Sequence, residues 1–141
     1  MTSDNSRKII MLVEDNKGDA VLAREALTFN KSDTALIHVF NGDEVFEYLN
    51  KVENQRPDLV LLDLNLPGMN GLEILQILKK DLETERIPVI VFSTSNSEND
   101  IKKCMEARAE DYITKPLDLV EFFDVFKKLD IFIKNNTPDR G

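Results

Sequence analysis

Four short apolar runs and a fifth, mixed one (DYIT) punctuate the chain, each followed by polar turn residues and then by a segment whose apolar positions recur at helical spacing. The runs occupy residues 8–13 (containing IIMLV), 35–40, 59–62 (LVLL), 89–92 (VIVF) and 111–114. A short unbroken apolar run bounded by turn signals is how a strand looks when helices exclude water from both its faces. The intervening segments predict helices over 17–29, 42–50, 71–81, 98–107 and 119–133. In the first, Val21, Leu22, Ala26 and Phe29 are spaced to form one buried stripe, and the third carries Leu72, Leu75, Ile77 and Leu78. Helix five carries a core stripe of Leu119, Phe122, Phe123, Phe126 and Ile133. It also carries a second line, Val125, Leu129 and Phe132, wide for a one-sided helix and therefore a candidate partner or homodimer surface.

The helix starts share one grammar. Asn16 with Asp19, Asn41 with Glu44, Asn70 with Glu73, Ser97 with Asp100, and Asp118 with Glu121 each set a cap acceptor three residues before an acid. Cap and acid together satisfy orphan amide groups, and the acid complements the helix dipole. Strands alternating with helices imply a parallel sheet with right-handed crossovers and helices on both faces, a doubly wound α/β domain.

Composition narrows the function classes. At 141 residues the chain is long enough to bury a core without disulfides or metal staples, and we read one domain over residues 1–134, core about 8–133, with a polar tail at 135–141. The first six residues are small and polar and are expected to form a mobile end. With 26 acidic against 18 basic side chains the net charge is −8, which repels nucleic acid and anionic membrane. Cys104 is the sole cysteine, the start MTSDNSRK lacks a signal-peptide core, and no apolar segment approaches membrane-spanning length, so a cytoplasmic protein is expected. Cys104 and His38 each read as a packed or surface residue, not a catalytic one.

The chemistry should collect where the strands end, because ligands of such sheets bind beyond the strands' carboxyl ends. Glu14 and Asp15 follow strand one, Asp63 follows strand three, Ser93 follows strand four and Lys115 follows strand five. Any one of these is ordinary punctuation; acids on two strands facing a lysine from a third are not. Two like charges about 4 Å apart cost roughly 4 kcal/mol at an effective dielectric near 20, so the cluster calls for protons or a cation. Lys115 offsets one charge. A hard divalent cation, Mg2+, suits the remaining oxygen ligands, and it commonly partners phosphate. An aspartate beside Mg2+ and an ammonium group is equipped to attack phosphorus, and Asp63 is the best nucleophile because it alone follows the central strand.

The stretches VEDN, DLVLLDLNLPGMNGLE, PVIVFSTS and DYITKP together resemble the CheY-like response regulator receiver domains, over about residues 8–129. The resemblance implies a five-stranded sheet in the order 2-1-3-4-5. It further implies Asp63 as phosphoacceptor, with Glu14, Asp15, Asp63 and the backbone carbonyl of Asn65 binding Mg2+. Ser93 is then the switch hydroxyl, Tyr112 the switch aromatic, and Lys115–Pro116 a cis peptide. Phosphoryl groups in this family come from a phosphohistidine on a sensor histidine kinase. The opening VEDNKGDAVLAREAL and the stretch FSTSNSENDI are most similar to small single-domain receivers paired with phytochrome-type sensor kinases. The expected function is thus a stand-alone two-component response regulator, not an enzyme turning over an independent substrate. The competing expectation is a Mg2+-dependent phosphohydrolase using Asp63, but such hydrolases typically carry a second acid two residues on, where this chain has Asn65. One departure from the family is Arg108, which stands where glycine is frequent and would have to adopt a left-handed backbone or reshape the end of helix four.

Overall fold

The computed structural model describes residues 7–136. The expected mobile end at 1–6 and the last five residues of the expected polar tail lie outside the described residues. In chain order the elements are β1 (Ile9–Val13), α1 (Lys17–Phe29), β2 (Ala35–Val39), α2 (Gly42–Asn50), β3 (Leu59–Leu62), α3 (Gly71–Lys80), β4 (Val89–Ser93), α4 (Glu98–Glu106), β5 (Asp111–Thr114) and α5 (Leu119–Asn136). Helix α5 therefore takes in the first two residues assigned to the tail. The strands form one parallel sheet in the order β2-β1-β3-β4-β5, as the family resemblance implied.

Side chains alternate across the pleat, so each central strand feeds two cores. Met11, Val13, Val60, Leu62, Val89 and Val91 pack under α2, α3 and α4. Ile10, Leu12, Leu59, Leu61, Ile90 and Phe92 pack under α1 and α5. Burial on both faces explains why β1, β3 and β4 read as unbroken apolar runs, whereas the edge strands β2 and β5 are only partly covered.

The stripe expected on α1 is displaced. Val21 and Phe29 are 54% and 70% exposed, and the buried residues are Ala20, Ala23, Ala26 and Leu27. Three alanines let the helix lie close against α5, in the core shared with Ile10 and Leu12 of β1, an arrangement that a search for large apolar side chains passes over. On α3 Ile74, Leu75 and Leu78 are buried and Ile77 is exposed. On α5 Leu119 is exposed, while Leu129 of the second line is buried and Val125 and Phe132 pack against the core. The second line is therefore mostly intramolecular.

Four of the five cap acceptors bond as expected: Asn16, Asn41, Asn70 and Ser97 accept from the backbone N–H three residues on. Only Asn70 and Glu73 form the reciprocal box. Asp118 instead accepts from the Val120 N–H at 3.0 Å. The acids released from capping bond elsewhere, with consequences for the site.

Helices α1 and α4 both end on a non-glycine residue in the left-handed region, Lys31 at φ 55° and Arg108 at φ 73°. In each, the following residue donates back five positions, Ser32 to Leu27 and Ala109 to Cys104, and the left-handed residue donates back three, to Thr28 and Met105. This is the Schellman closure. Arg108 thus adopts the glycine geometry, and its guanidinium bonds the Lys79 carbonyl and lies 3.9 Å from Glu85.

Candidate functional site

The sheet's hydrogen bonding continues past the strand ends and sets the acids side by side. Asp63 donates its backbone N–H to the Val13 carbonyl at 3.1 Å, and Glu14 donates its own to Val39 at 3.0 Å. Glu14 and Asp63 are therefore neighbours on adjacent strands, both buried, and Asp15 follows in an exposed position. Carboxylate oxygens of Glu14, Asp15 and Asp63 lie within 4.8 Å of one another.

Glycine fixes this arrangement from the other side. A Cβ on Gly71 would come 2.2 Å from the Asp63 carbonyl oxygen and 2.8 Å from Leu64 Cα. Only a residue without a side chain lets α3 begin so near the end of β3. Gly71 N–H donates to the Leu64 carbonyl at 3.0 Å, and the Asn65 N–H donates to Asp63 Oδ1 at 3.2 Å, so the loop folds back over the carboxylate.

Lys115 arrives on the extension of β5, its backbone N–H bonded to the Ser93 carbonyl at 2.7 Å. Its ammonium reaches Glu14 Oε1 at 2.6 Å, Asp19 Oδ2 at 2.8 Å and Asp63 Oδ2 at 3.3 Å, and lies 5.8 Å from the centre of the Phe92 ring. The expected cis peptide at Lys115–Pro116 is not found. No cis bond occurs among the described residues, and Nζ reaches all three carboxylates with the bond trans, the isomer favoured by roughly 0.5–1 kcal/mol before proline.

Sequence reasoning missed Asp19, taking it only as a capping acid. The signal was available: the first turn of α1 follows directly from Glu14 and Asp15, so an acid there belongs to the same rim. His38, expected as a packed or surface residue, is half-buried beside the site. Its Nε2 lies 2.7 Å from the Glu14 carbonyl oxygen, bracing the backbone beside the acidic pair. Cys104 behaves as expected, since burial, helped by Asp100, pushes its thiol up to about 11 and leaves no nucleophile at neutral pH.

Electrostatics explains what the cluster requires. Burial pushes Glu14 up to about 7, with the charge of Asp63 adding and Lys115 opposing. Burial pulls the Lys115 ammonium down, but hydrogen bonds to Asp19 and Glu14 and the charges of Glu14 and Asp63 outweigh it and leave it raised. One ammonium faces Glu14, Asp19 and Asp63 directly, with Asp15 nearby, so negative charge remains uncompensated. An all-oxygen set of that charge fits a hard divalent cation and not zinc, which favours nitrogen and sulfur.

The hydroxyl and the aromatic named from sequence meet in one loop. Ser93 is fully buried at the end of β4, and its Oγ accepts from the Ser95 N–H at 3.3 Å. Tyr112 is half-buried, packs against the α2–α4 core and donates its O–H to the Ser95 carbonyl at 2.8 Å. Ser95 Oγ in turn donates to Asp100 at 2.6 Å. The loop after β4 is thus tied to α4 through Asp100 and to β5 through Tyr112.

The chain matches the response regulator receiver domain over residues 10–127. It is 37% identical over 132 residues to response regulator Rcp1 of Synechocystis sp., which covers 91% of this chain and 90% of that protein. The structure of the phosphorylated cyanobacterial phytochrome response regulator RcpA superposes with a TM-score of 0.86 at 38% identity, covering 96% of this chain and 99% of that one. The Mn(2+)-bound form of Rcp1 superposes with a TM-score of 0.84 at 33% identity, covering 95% and 99%. The sheet order, the acids beyond β1 and β3, the lysine beyond β5 and these likenesses agree: the chain belongs to the response regulator receiver domain family.

Proposed function

We propose that Asp63 is the phosphoacceptor of a stand-alone two-component response regulator. The observation that carries this reading is the placement of Asp63: 6% exposed, at the end of the central strand, 3.3 Å from Lys115 and clustered with Glu14 and Asp15. Glu14, Asp15, Asp63 and the backbone carbonyl of Asn65 are the residues that would hold Mg2+. When bound, the ion spreads the charge of the phosphoryl oxygens.

In the transfer, an Asp63 carboxylate oxygen attacks phosphorus, the N–P bond of a kinase phosphohistidine breaks, and the imidazole leaves with the electron pair. Lys115 and the Ser93 hydroxyl donate to the transferred oxygens. Drawing Ser93 toward the phosphoryl group strains its bond to Ser95, and through Ser95 it acts on Tyr112 and α4. Taking such a switch from mostly off to mostly on requires about 5.5 kcal/mol of differential stabilisation, within reach of a lysine contact and one or two hydrogen bonds. A hydrolase would need an acid two residues after Asp63; the amide of Asn65 cannot transfer that proton.

The likeness to the phytochrome response regulator RcpA supports a phytochrome-type sensor kinase as partner. No helix of the described residues is long and apolar enough to cross a membrane. If two copies associate through the helix-five region, Leu119, Val120 and Ile131 are the apolar residues of α5 still available, and light scattering reads that association.

Incubation with acetyl phosphate and Mg2+, followed by intact mass, should add one phosphoryl group to the native protein. Chelating the metal should abolish the gain, as should Asp63→Asn. Phosphorylation of the Asp63→Asn protein to the same extent would refute the assignment.

A further inference from the structure

An ammonium group has three N–H donors, and Lys115 spends them on Glu14, Asp19 and Asp63. The contact to Asp19, at 2.8 Å, is shorter than the one to Asp63, at 3.3 Å. The Lys115 side chain is 7% exposed, so no water shell stands ready to replace a lost partner. A phosphoryl group on Asp63 needs one of those three donors. It also needs tolerance for its own charge from every carboxylate around it, and Asp19 is an acid with no part in the proposed metal set.

We infer that Asp19 is a positioning residue for phosphotransfer: it competes with the phosphoryl group for Lys115 and thereby sets how readily Asp63 is modified. This rests on the reading of Asp63 as phosphoacceptor and extends it to a fourth carboxylate. Asp19 lies in the first turn of α1, anchored by its own N–H bond to the Asn16 side chain at 3.0 Å. Its carboxylate is thus held at a fixed place on the rim by backbone geometry, and only the side chain needs to move when Lys115 turns to new oxygens. Because competition is reciprocal, occupation of the phosphoryl position weakens the Asp19 contact to Lys115 and releases the Asp19 side chain.

The decisive comparison is beryllofluoride binding in saturating Mg2+ for wild type, Asp19→Asn and Asp19→Glu. Asn keeps the shape and the backbone cap but removes the charge. Competition of this kind predicts roughly tenfold tighter binding by Asp19→Asn, the scale of one charge-assisted hydrogen bond, and a matching rise in the initial rate with acetyl phosphate. Asp19→Glu, which restores the charge, should return toward wild type, and a purely structural role for Asp19 would instead weaken both variants together. In the wild type, the Asp19 carboxyl carbon resonance should shift on beryllofluoride addition. Equal or weaker binding by Asp19→Asn overturns the inference while leaving Asp63 as acceptor. Failure of the wild type to bind beryllofluoride or to take a phosphoryl group overturns both.

Discussion

Gly71 carries no functional group, yet the position of Asp63, the proposed acceptor, depends on it. Adding one methyl group would drive it into the Asp63 carbonyl and the Leu64 backbone, neither of which can rotate away. Gly71→Ala should therefore cost about 1–3 kcal/mol, by the usual penalty for overpacking. It should also slow phosphorylation more than a stability loss of that size explains, because the strain is delivered to Asp63 itself. Urea melts and acetyl phosphate kinetics on the same protein separate the two effects; unaltered kinetics would show that the backbone of β3 and its carboxylate are independent. At this scale the sequence pointed to Glu14, Asp15, Asp63, Ser93 and Lys115 as rim residues, because each stands at or just past the end of a strand-like run. It did not reveal that Asp19 bonds Lys115, since an acid three residues after a cap acceptor has a sufficient local explanation. Nor could residue types decide the isomer of Lys115–Pro116, where proline permits both and the structure has trans.

The elements were legible wherever one physical requirement dominated. Strands buried on both faces have to be apolar throughout, and β1, β3 and β4 were recognisable for that reason. The helices were located by their caps, but their buried faces were harder to read. Alanine buries little area yet permits close approach, so the α1 stripe of Ala20, Ala23 and Ala26 was masked by the larger, exposed Val21 and Phe29. The helix ends offer a direct comparison. Lys31 and Arg108 occupy equivalent left-handed positions, where a side chain costs roughly 1–2 kcal/mol relative to glycine. Lys31→Gly should stabilise the protein by up to about 1 kcal/mol, part of the relief being offset by the looser unfolded chain. Arg108→Gly should gain less, because it also removes the guanidinium bonded to the Lys79 carbonyl and near Glu85. Thermal melts of the two variants would contradict this if Arg108→Gly proved the more stabilising.

For the molecule as a whole, alternation of strand and helix led to a doubly wound sheet, but alternation alone does not say which strand lies beside which. The order β2-β1-β3-β4-β5 came from the family resemblance and is what the sheet shows. That order is what makes a site: it sets β1 beside β3, and so Glu14 beside Asp63, and brings β5 next to β4, and so Lys115 next to Ser93. The same order places the loop after β4 between the acidic rim and α4, the route by which a change at Asp63 would reach the surface. The negative charge of −8 suits an exchange with protein partners more than with nucleic acid. All of this converges on one proposed covalent bond, between phosphorus and a carboxylate oxygen of Asp63. Borohydride reduces an acyl phosphate to the alcohol, so treating the phosphorylated protein and mapping its peptides reads the acceptor directly. The account predicts homoserine in place of Asp63 and unmodified Glu14, Asp15 and Asp19; reduction at any of those three, with Asp63 intact, would contradict it.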